Sequence, residues 1–177
     1  MIIRPATPAD AHAIAAVRVT SWRAAYRGVV PDSCLDAMTP EESENSWRAV
    51  AAGEVAGAEL LVCEIGGAVV GFAAYGAARP PDFGYSGELY ATYYLPEAMG
   101  KGYGTQMVAE VARGLARLGH ADMILWVMEA NARGRRFYDS VGGTVIAGSR
   151  KSFDIDGVAI WEIAYGFRPL PDPGARR

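Results

Sequence analysis

The sequence predicts an α/β fold: a single domain built on a mixed, mostly antiparallel twisted sheet flanked by helices. Three observations carry that expectation. The chain has 177 residues and is 51% hydrophobic, enough for one sizeable core. Its hydrophobic pattern is helical near the start, alternates in the middle, and becomes helical again further on. The segments follow the order strand, two helices, three strands, helix, strand, helix, two strands, without an internal repeat or a linker. The domain is expected to cover residues 1–167. The remainder, "RPLPDPGARR" (168–177), has three prolines and no apolar pattern, so it is expected to fray.

The elements follow from local chemistry. "MIIRPA" is a short strand. "TPADAHAIAAVRVTSWRAAY" reads as a helix with Thr7 as its cap and Pro8 in its first turn. Its apolar stripe through Ile14, Val17 and Ala24 is interrupted by the polar Ser21, and Val19 lies off it. "RGVVPD" ends that helix. "TPEESENSWRAVAAG" repeats the logic: Thr39 caps, Pro40 opens the turn, Glu41 and Glu42 favour the positive end, and Gly53 stops it. "ELLVCEI" and "AVVGFAAYGAA" are strands joined across Gly66 and Gly67, a hairpin signal. "SGELYATYYL" is a third strand. Tyr103, Met107, Val108, Val111, Leu115 and Leu118 then trace one helical face. "ADMILWVM" is a strand apolar on both faces. "NARGRRFYDSV" is a short helix capped by Asn131 and stopped by Gly142 and Gly143. "TVIAGSR" and "FDIDGVAIWEIAY" close the chain as strands.

Charge and cysteine content narrow the function. The formal net charge is -3 with 21% charged residues, which argues against general binding to nucleic acid or an anionic membrane. Cys34 and Cys63 read as two free thiols. His12 and His120 lack a ligand pattern and no Cys/His cluster has metal spacing, so no metal is expected. The first residues lack the apolar stretch of a secretory signal, and no apolar run is long enough to span a bilayer. A cytoplasmic protein is expected. Sheet edges make a homodimer an open possibility.

The informative stretch is "YLPEAMGKGYGTQMVAEV", where Gly100, Gly102 and Gly104 alternate between a strand and a helix. A helix N-terminus carries unpaired N–H groups and the positive end of the macrodipole, and glycine lets a ligand approach the backbone. A phosphate is the natural occupant; a tight turn without a ligand is the plainer alternative. A P-loop does not fit, because Leu95 stands where its first glycine belongs and Gly102 where Ser or Thr belongs. The dinucleotide pattern fails as well, with Thr105 or Met107 at its third glycine.

"LYATYYLPEAMGKGYGTQMV" resembles the acyl-CoA-binding segment of the GNAT-family N-acetyltransferases, a strand followed by Q/R-x-x-G-x-G/A opening a helix. Gly102 and Gly104 match its glycines, and Met99 stands where Gln or Arg is usual. "ILWVMEANARGRRFYDSVG" resembles the family's later strand and its N-x-x-A-x-x-F-Y helix, with Gly134 in place of Ala. The resemblance covers roughly Ala6 to Tyr165 and implies acetyl transfer from acetyl-CoA to an amine on a GNAT-like acyl-CoA-binding fold. It implies that the backbone of Gly100, Lys101, Gly102, Tyr103, Gly104 and Thr105 cradles the pyrophosphate. It implies backbone pairing of the pantetheine arm with Thr92, Tyr93 and Tyr94, on a strand that splays from its neighbour and frees an N–H for the thioester carbonyl. Asn131 matches a cofactor-contacting Asn and is also a plain helix cap.

The same resemblance supplies the chemistry. A neutral amine must attack, and an alkylamine of pKa about 10 is only about one part in a thousand neutral at pH 7, so a base helps. Glu88, where the family often has an acid, is the candidate base; a surface carboxylate is the alternative. Tyr138 matches the family's tyrosine acid, the alternative being a packed core ring. Arg135 and Arg136 read as a solvated helix face, with the CoA 3'-phosphate as their other possible partner. Trp22 and Tyr26 share a helix side at i and i+4, so either core or acceptor pocket would suit them. "SWRAAYRGVVPD" is also similar to the family branch related to phosphinothricin-type acetyltransferases. The expected acceptor is a small-molecule amine. Acetylation of a protein N-terminus or lysine, or a non-catalytic acyl-CoA-binding module, are the alternatives.

Overall fold

The structure, a computed structural model, describes residues 1–80 and 82–171. Its strands are β1 (Ile2–Pro5), β2 (Ala58–Ile65), β3 (Ala68–Ala77), β4 (Gly87–Tyr94), β5 (Met123–Met128), β6 (Thr144–Val145), β7 (Lys151–Ile155) and β8 (Val158–Phe167). Its helices are α1 (Ala11–Tyr26), α2 (Asp32–Ala37), α3 (Glu41–Ala51), α4 (Tyr103–Arg117) and α5 (Ala132–Ser140). The strands form one sheet in the order β1-β2-β3-β4-β5-β8-β6, with β7 also on β8. Every pairing is antiparallel except β4 with β5.

Strand alternation divides the core into two layers. Leu61, Cys63 and Tyr75 turn toward Met107, Val111 and Leu115 of α4. Leu60, Val62 and Phe72 turn toward Ile14 and Val17 of α1, with Trp47 of α3 packed alongside. A sheet covered on both faces needs strands apolar on both sides, and "ILWVM" of β5 supplies one. Ser21, the polar gap in the α1 stripe, is buried, and its hydroxyl donates to the Tyr94 carbonyl at 2.8 Å. It therefore ties α1 to the end of β4.

Several expectations are corrected. Thr7 precedes a short 3-10 turn, Pro8–Asp10, rather than α1 itself; the Asp10 carboxylate accepts from the Thr7 N–H and hydroxyl. Pro40, not Thr39, occupies the N-cap of α3. Leu118 ends α4 at 42% exposure instead of extending its buried face. The last segment is a hairpin, not one strand: Asp156 and Gly157 take positive φ values of 48° and 80°, a two-residue turn whose twist suits the flanking strands. The predicted tail begins tied down, with Arg168 paired to Asp122 and the Leu170 N–H donating to the Ala121 carbonyl. Residues 172–177 of that expectation lie outside the described residues. Among the described residues no helix is long and apolar enough to cross a membrane.

Candidate functional site

The parallel pair β4–β5 is laddered only over Gly87–Leu89 against Met123–Leu125. Both strands continue, to Tyr94 and Met128, without pairing each other further. A register shift in the β3–β4 ladder coincides with the divergence: Ala74 faces Ala91 while Tyr75 faces Leu89, leaving Tyr90 as the extra residue. A bulge bends the strand that carries it and re-aims its neighbours. The gap between the strands opens into a pocket of about 1210 Å³, whose wall includes Thr92, Tyr93 and Tyr94. The Leu95 N–H donates to the Val70 carbonyl, so by antiparallel alternation Tyr93 also bonds toward β3 while Thr92 and Tyr94 face away. The Tyr94 carbonyl is taken by Ser21, which leaves Thr92 as the freer strand backbone.

The three glycines at the end of β4 do different work. Gly100 and Gly102 have φ of 78° and 81°, and Gly102 is the left-handed N-cap of α4. A Cβ built on Gly102 would meet nothing within 4 Å, so its outer side is open space. Gly104 instead lets two helices close, since a Cβ there would stand 3.1 Å from the Phe137 ring. No side chain caps α4. Its first N–H groups and the cradle beside Gly102 therefore suit a phosphate held by backbone donors. Gly100, Gly102, Gly104 and Thr105 line the pocket, as does Met99. The Lys101 side chain is exposed and the Tyr103 side chain packs on the core while its carbonyl accepts from the Tyr94 hydroxyl, so what either residue offers the cradle is its backbone N–H.

A cation missing from the sequence reading stands by the elbow. Arg133 lines the pocket, and its Nη2 is 4.0 Å from where a Gly100 Cβ would be. Arg135 donates to the Glu129 carbonyl. The first turn of α5 has no acidic residue, so Arg133 sits against an unfavourable helix end. Helix position is the signal that separates Arg133 from Arg135 and Arg136. Asn131 caps α5 by accepting from the Gly134 N–H at 2.8 Å, while its Nδ2 reaches the Tyr26 hydroxyl at 3.3 Å.

Tyr138 is buried in the wall of the same pocket, its ring against Phe137 and Tyr165. Burial pushes its phenol pKa up, so the hydroxyl stays protonated near neutral pH and is available as a donor. Glu88 is 2% exposed and also lines the pocket. It is no surface carboxylate: Arg79 donates to it from its backbone N–H at 2.9 Å, Nε at 3.1 Å and Nη2 at 2.6 Å. Arg79 lies in the β3–β4 loop, where no periodicity marks a partner. Trp22 and Tyr26 line the pocket and pack edge to face, with ring centroids 5.1 Å apart.

Against known proteins, the chain is 33% identical over 168 residues to the uncharacterized N-acetyltransferase YuaI of Bacillus subtilis, covering 95% of this chain and 93% of that protein. The chain belongs to the GNAT family of N-acetyltransferases. The FR47-like protein family matches residues 82–152, which hold the splayed strands, the elbow and α5. The L-methionine sulfoximine/L-methionine sulfone acetyltransferase of Salmonella typhimurium is 31% identical over 107 residues, covering 60% of this chain and 62% of that enzyme. Among solved structures, the Salmonella typhimurium acetyltransferase yncA with acetyl-CoA has a TM-score of 0.70 at 24% identity, covering 100% of this chain and 98% of that one. The PaiA N-acetyltransferase of Thermoplasma acidophilum in complex with coenzyme A has a TM-score of 0.68 at 19% identity, covering 94% and 98%. As a GNAT enzyme, the chain is an acyltransferase.

Proposed function

We propose that this acyltransferase moves an acetyl group from acetyl-CoA directly to the amine of a small molecule. The observation that carries the reading is the divergence of β4 from β5 into a pocket that ends at the open backbone cradle of Gly102. The donor supplies an activated thioester. The chain's own groups then have separable tasks. The N–H groups at the start of α4 and the Arg133 guanidinium hold phosphate; the backbone of Thr92, facing away from β3, pairs with the pantetheine arm. A β4 N–H released by the splay offers an oxyanion donor. Glu88, held by Arg79, accepts the amine proton directly or through water, and Tyr138 gives a proton to the departing sulfur. A thiolate of pKa roughly 8.5 is a tolerable leaving group, so that last proton assists and is not indispensable.

Two observations support a small acceptor. Trp22 and Tyr26 stand in the pocket wall and pack edge to face there, an aromatic surface sized for a small molecule. The Salmonella relative is named for two small amino-acid derivatives. The test is CoA release from acetyl-CoA across amines, amino acids, polyamines and peptides. Turnover on small amines supports the reading; turnover confined to peptides replaces it with protein acetylation. CoA binding with no release on any acceptor would leave direct transfer to an amine without support.

A further inference from the structure

Among the described residues two ion pairs line the pocket, and they stand on different elements with different aromatic neighbours. Arg79 gives its Nε, Nη2 and backbone N–H to Glu88. The second pair, Lys151 with Glu162, faces across the β7–β8 ladder in register, Nζ to Oε1 at 3.2 Å. The Lys151 Nζ also lies 3.6 Å from the centroid of the Trp126 ring. Lys151, Trp126 and Glu162 all line the pocket with Phe153. These residues belong to β5, β7 and β8, apart from the elbow that begins α4.

An ammonium has three donors. Glu162 takes one, and the Trp126 face takes up part of the charge. The Lys151 side chain is still 41% exposed, against 19% for Glu162, so a third donor remains toward open space. A lysine side chain loses rotamer entropy when it is fixed in one place. Fixing one in a pocket wall, with a ring and a carboxylate as its rests, presents a localised positive charge with a donor to spare. Arg79 keeps free donors as well, but it stands on the Glu88 side of the pocket with its guanidinium over the Tyr90 ring. The wall also carries the aromatic rings of Trp22, Tyr26, Tyr90 and Tyr93.

We infer that Lys151, held against Trp126 and Glu162, binds a carboxylate carried by the acceptor amine, and so selects amino acids over amines without an acid group. This rests on the reading of the pocket as a small-amine acetyltransferase site and deepens it. Lys151 also limits the selection from the other side, since a second cationic group on the acceptor would meet its ammonium. Polyamines are therefore disfavoured.

The experiment compares L-amino acids with their amides, which keep the amine and lose the carboxylate, on the wild type, Lys151→Met and Lys151→Arg. Turnover is measured with acetyl-CoA saturating; in parallel the CoA-loaded protein is titrated calorimetrically with each acid and amide. The wild type should favour the acids. Lys151→Met should lose roughly 10- to 100-fold in kcat/KM for acids, the range of one charge-assisted hydrogen bond, chiefly through KM, with amides little changed. Lys151→Arg should restore much of the preference. The melting temperature and the CoA dissociation constant should stay as in the wild type. Equal loss on acids and amides would make Lys151 a packing residue and overturn the inference, as would a wild type that does not distinguish them. A phosphonate analogue preferred over the carboxylate would overturn the ligand class. If acids bind better than amides, Lys151→Met abolishes that difference, and no acceptor is turned over, then the transfer reading fails while the carboxylate site stands.

Discussion

The side-chain amide of Asn131 joins the two sides of the pocket: its Oδ1 accepts from the Gly134 N–H at the start of α5, and its Nδ2 donates to the Tyr26 hydroxyl of α1, 3.3 Å away. One residue therefore both stops a helix from fraying and fixes its distance from Tyr26 in the pocket wall. Asn131→Ala should reduce stability by about 1 kcal/mol, as loss of an N-cap does. It should also raise KM for the acceptor, whereas Tyr26→Phe should raise KM with little loss of stability. Denaturant unfolding and steady-state kinetics on both variants check this. An Asn131→Ala variant with wild-type KM values would reduce Asn131 to a cap.

Glu88 is buried against Arg79, which bears on its proposed role as base. Glu88→Gln cannot accept a proton, so turnover should fall most near neutral pH. Above about pH 9 the amine is increasingly neutral on its own and the deficit should shrink. A deficit constant across a full pH–rate profile would remove Glu88 from that role. Arg79→Leu should destabilise the fold by on the order of 3 kcal/mol, the low end for stranding a buried charge, because the Arg79 side of the pair is exposed. An unfolding free energy within experimental error of the wild type would mean that water replaces the guanidinium.

Tyr138→Phe keeps the ring contacts with Phe137 and Tyr165 and removes one oxygen. A fall in kcat of roughly 10² to 10⁴ is expected, the range of one general acid. The CoA dissociation constant should hardly move, because the proton matters in the transition state. Unchanged kcat with a clear loss of stability would instead make Tyr138 a core residue.

Arg133→Gln should weaken CoA binding roughly three- to tenfold, a charge-assisted contact discounted for solvent. Binding of acetyl-pantetheine, which lacks the phosphates, should be unaffected. Comparing CoA with dephospho-CoA tells whether the 3'-phosphate or the diphosphate is the partner. Equal weakening of acetyl-pantetheine would show that Arg133 acts on the shape of the elbow.

What the sequence made legible and what it hid follow from range. Periodicity and turn chemistry are local, so the Gly66–Gly67 hairpin, the α4 face from Met107 to Leu115 and the glycine elbow were readable. The Asp156–Gly157 turn is equally local, but it lies within an alternating stretch that reads as one strand. The partner of Glu88 was not readable, because Arg79 lies across a loop that carries no period. Ser21 looked like a flaw in the α1 stripe because its reason is a carbonyl 73 residues away. The expected cradle was one of backbone groups, and the side-chain cation beside it, Arg133, carries no local signal because it arrives from α5. Likewise Lys151 gains its meaning only when β7 lies beside β8 and Trp126 comes under it.

The central claim is that the splayed strands and the Gly102 cradle bind the acyl donor in the native state. Thermal unfolding with and without acetyl-CoA tests it most directly. A ligand that binds the native fold and not the unfolded chain adds roughly 2.7 kcal/mol at about 100 times its dissociation constant. Acetyl-CoA should raise the melting temperature accordingly, and NADH and ATP should do far less. A rise with NADH or ATP and none with acetyl-CoA would contradict the account.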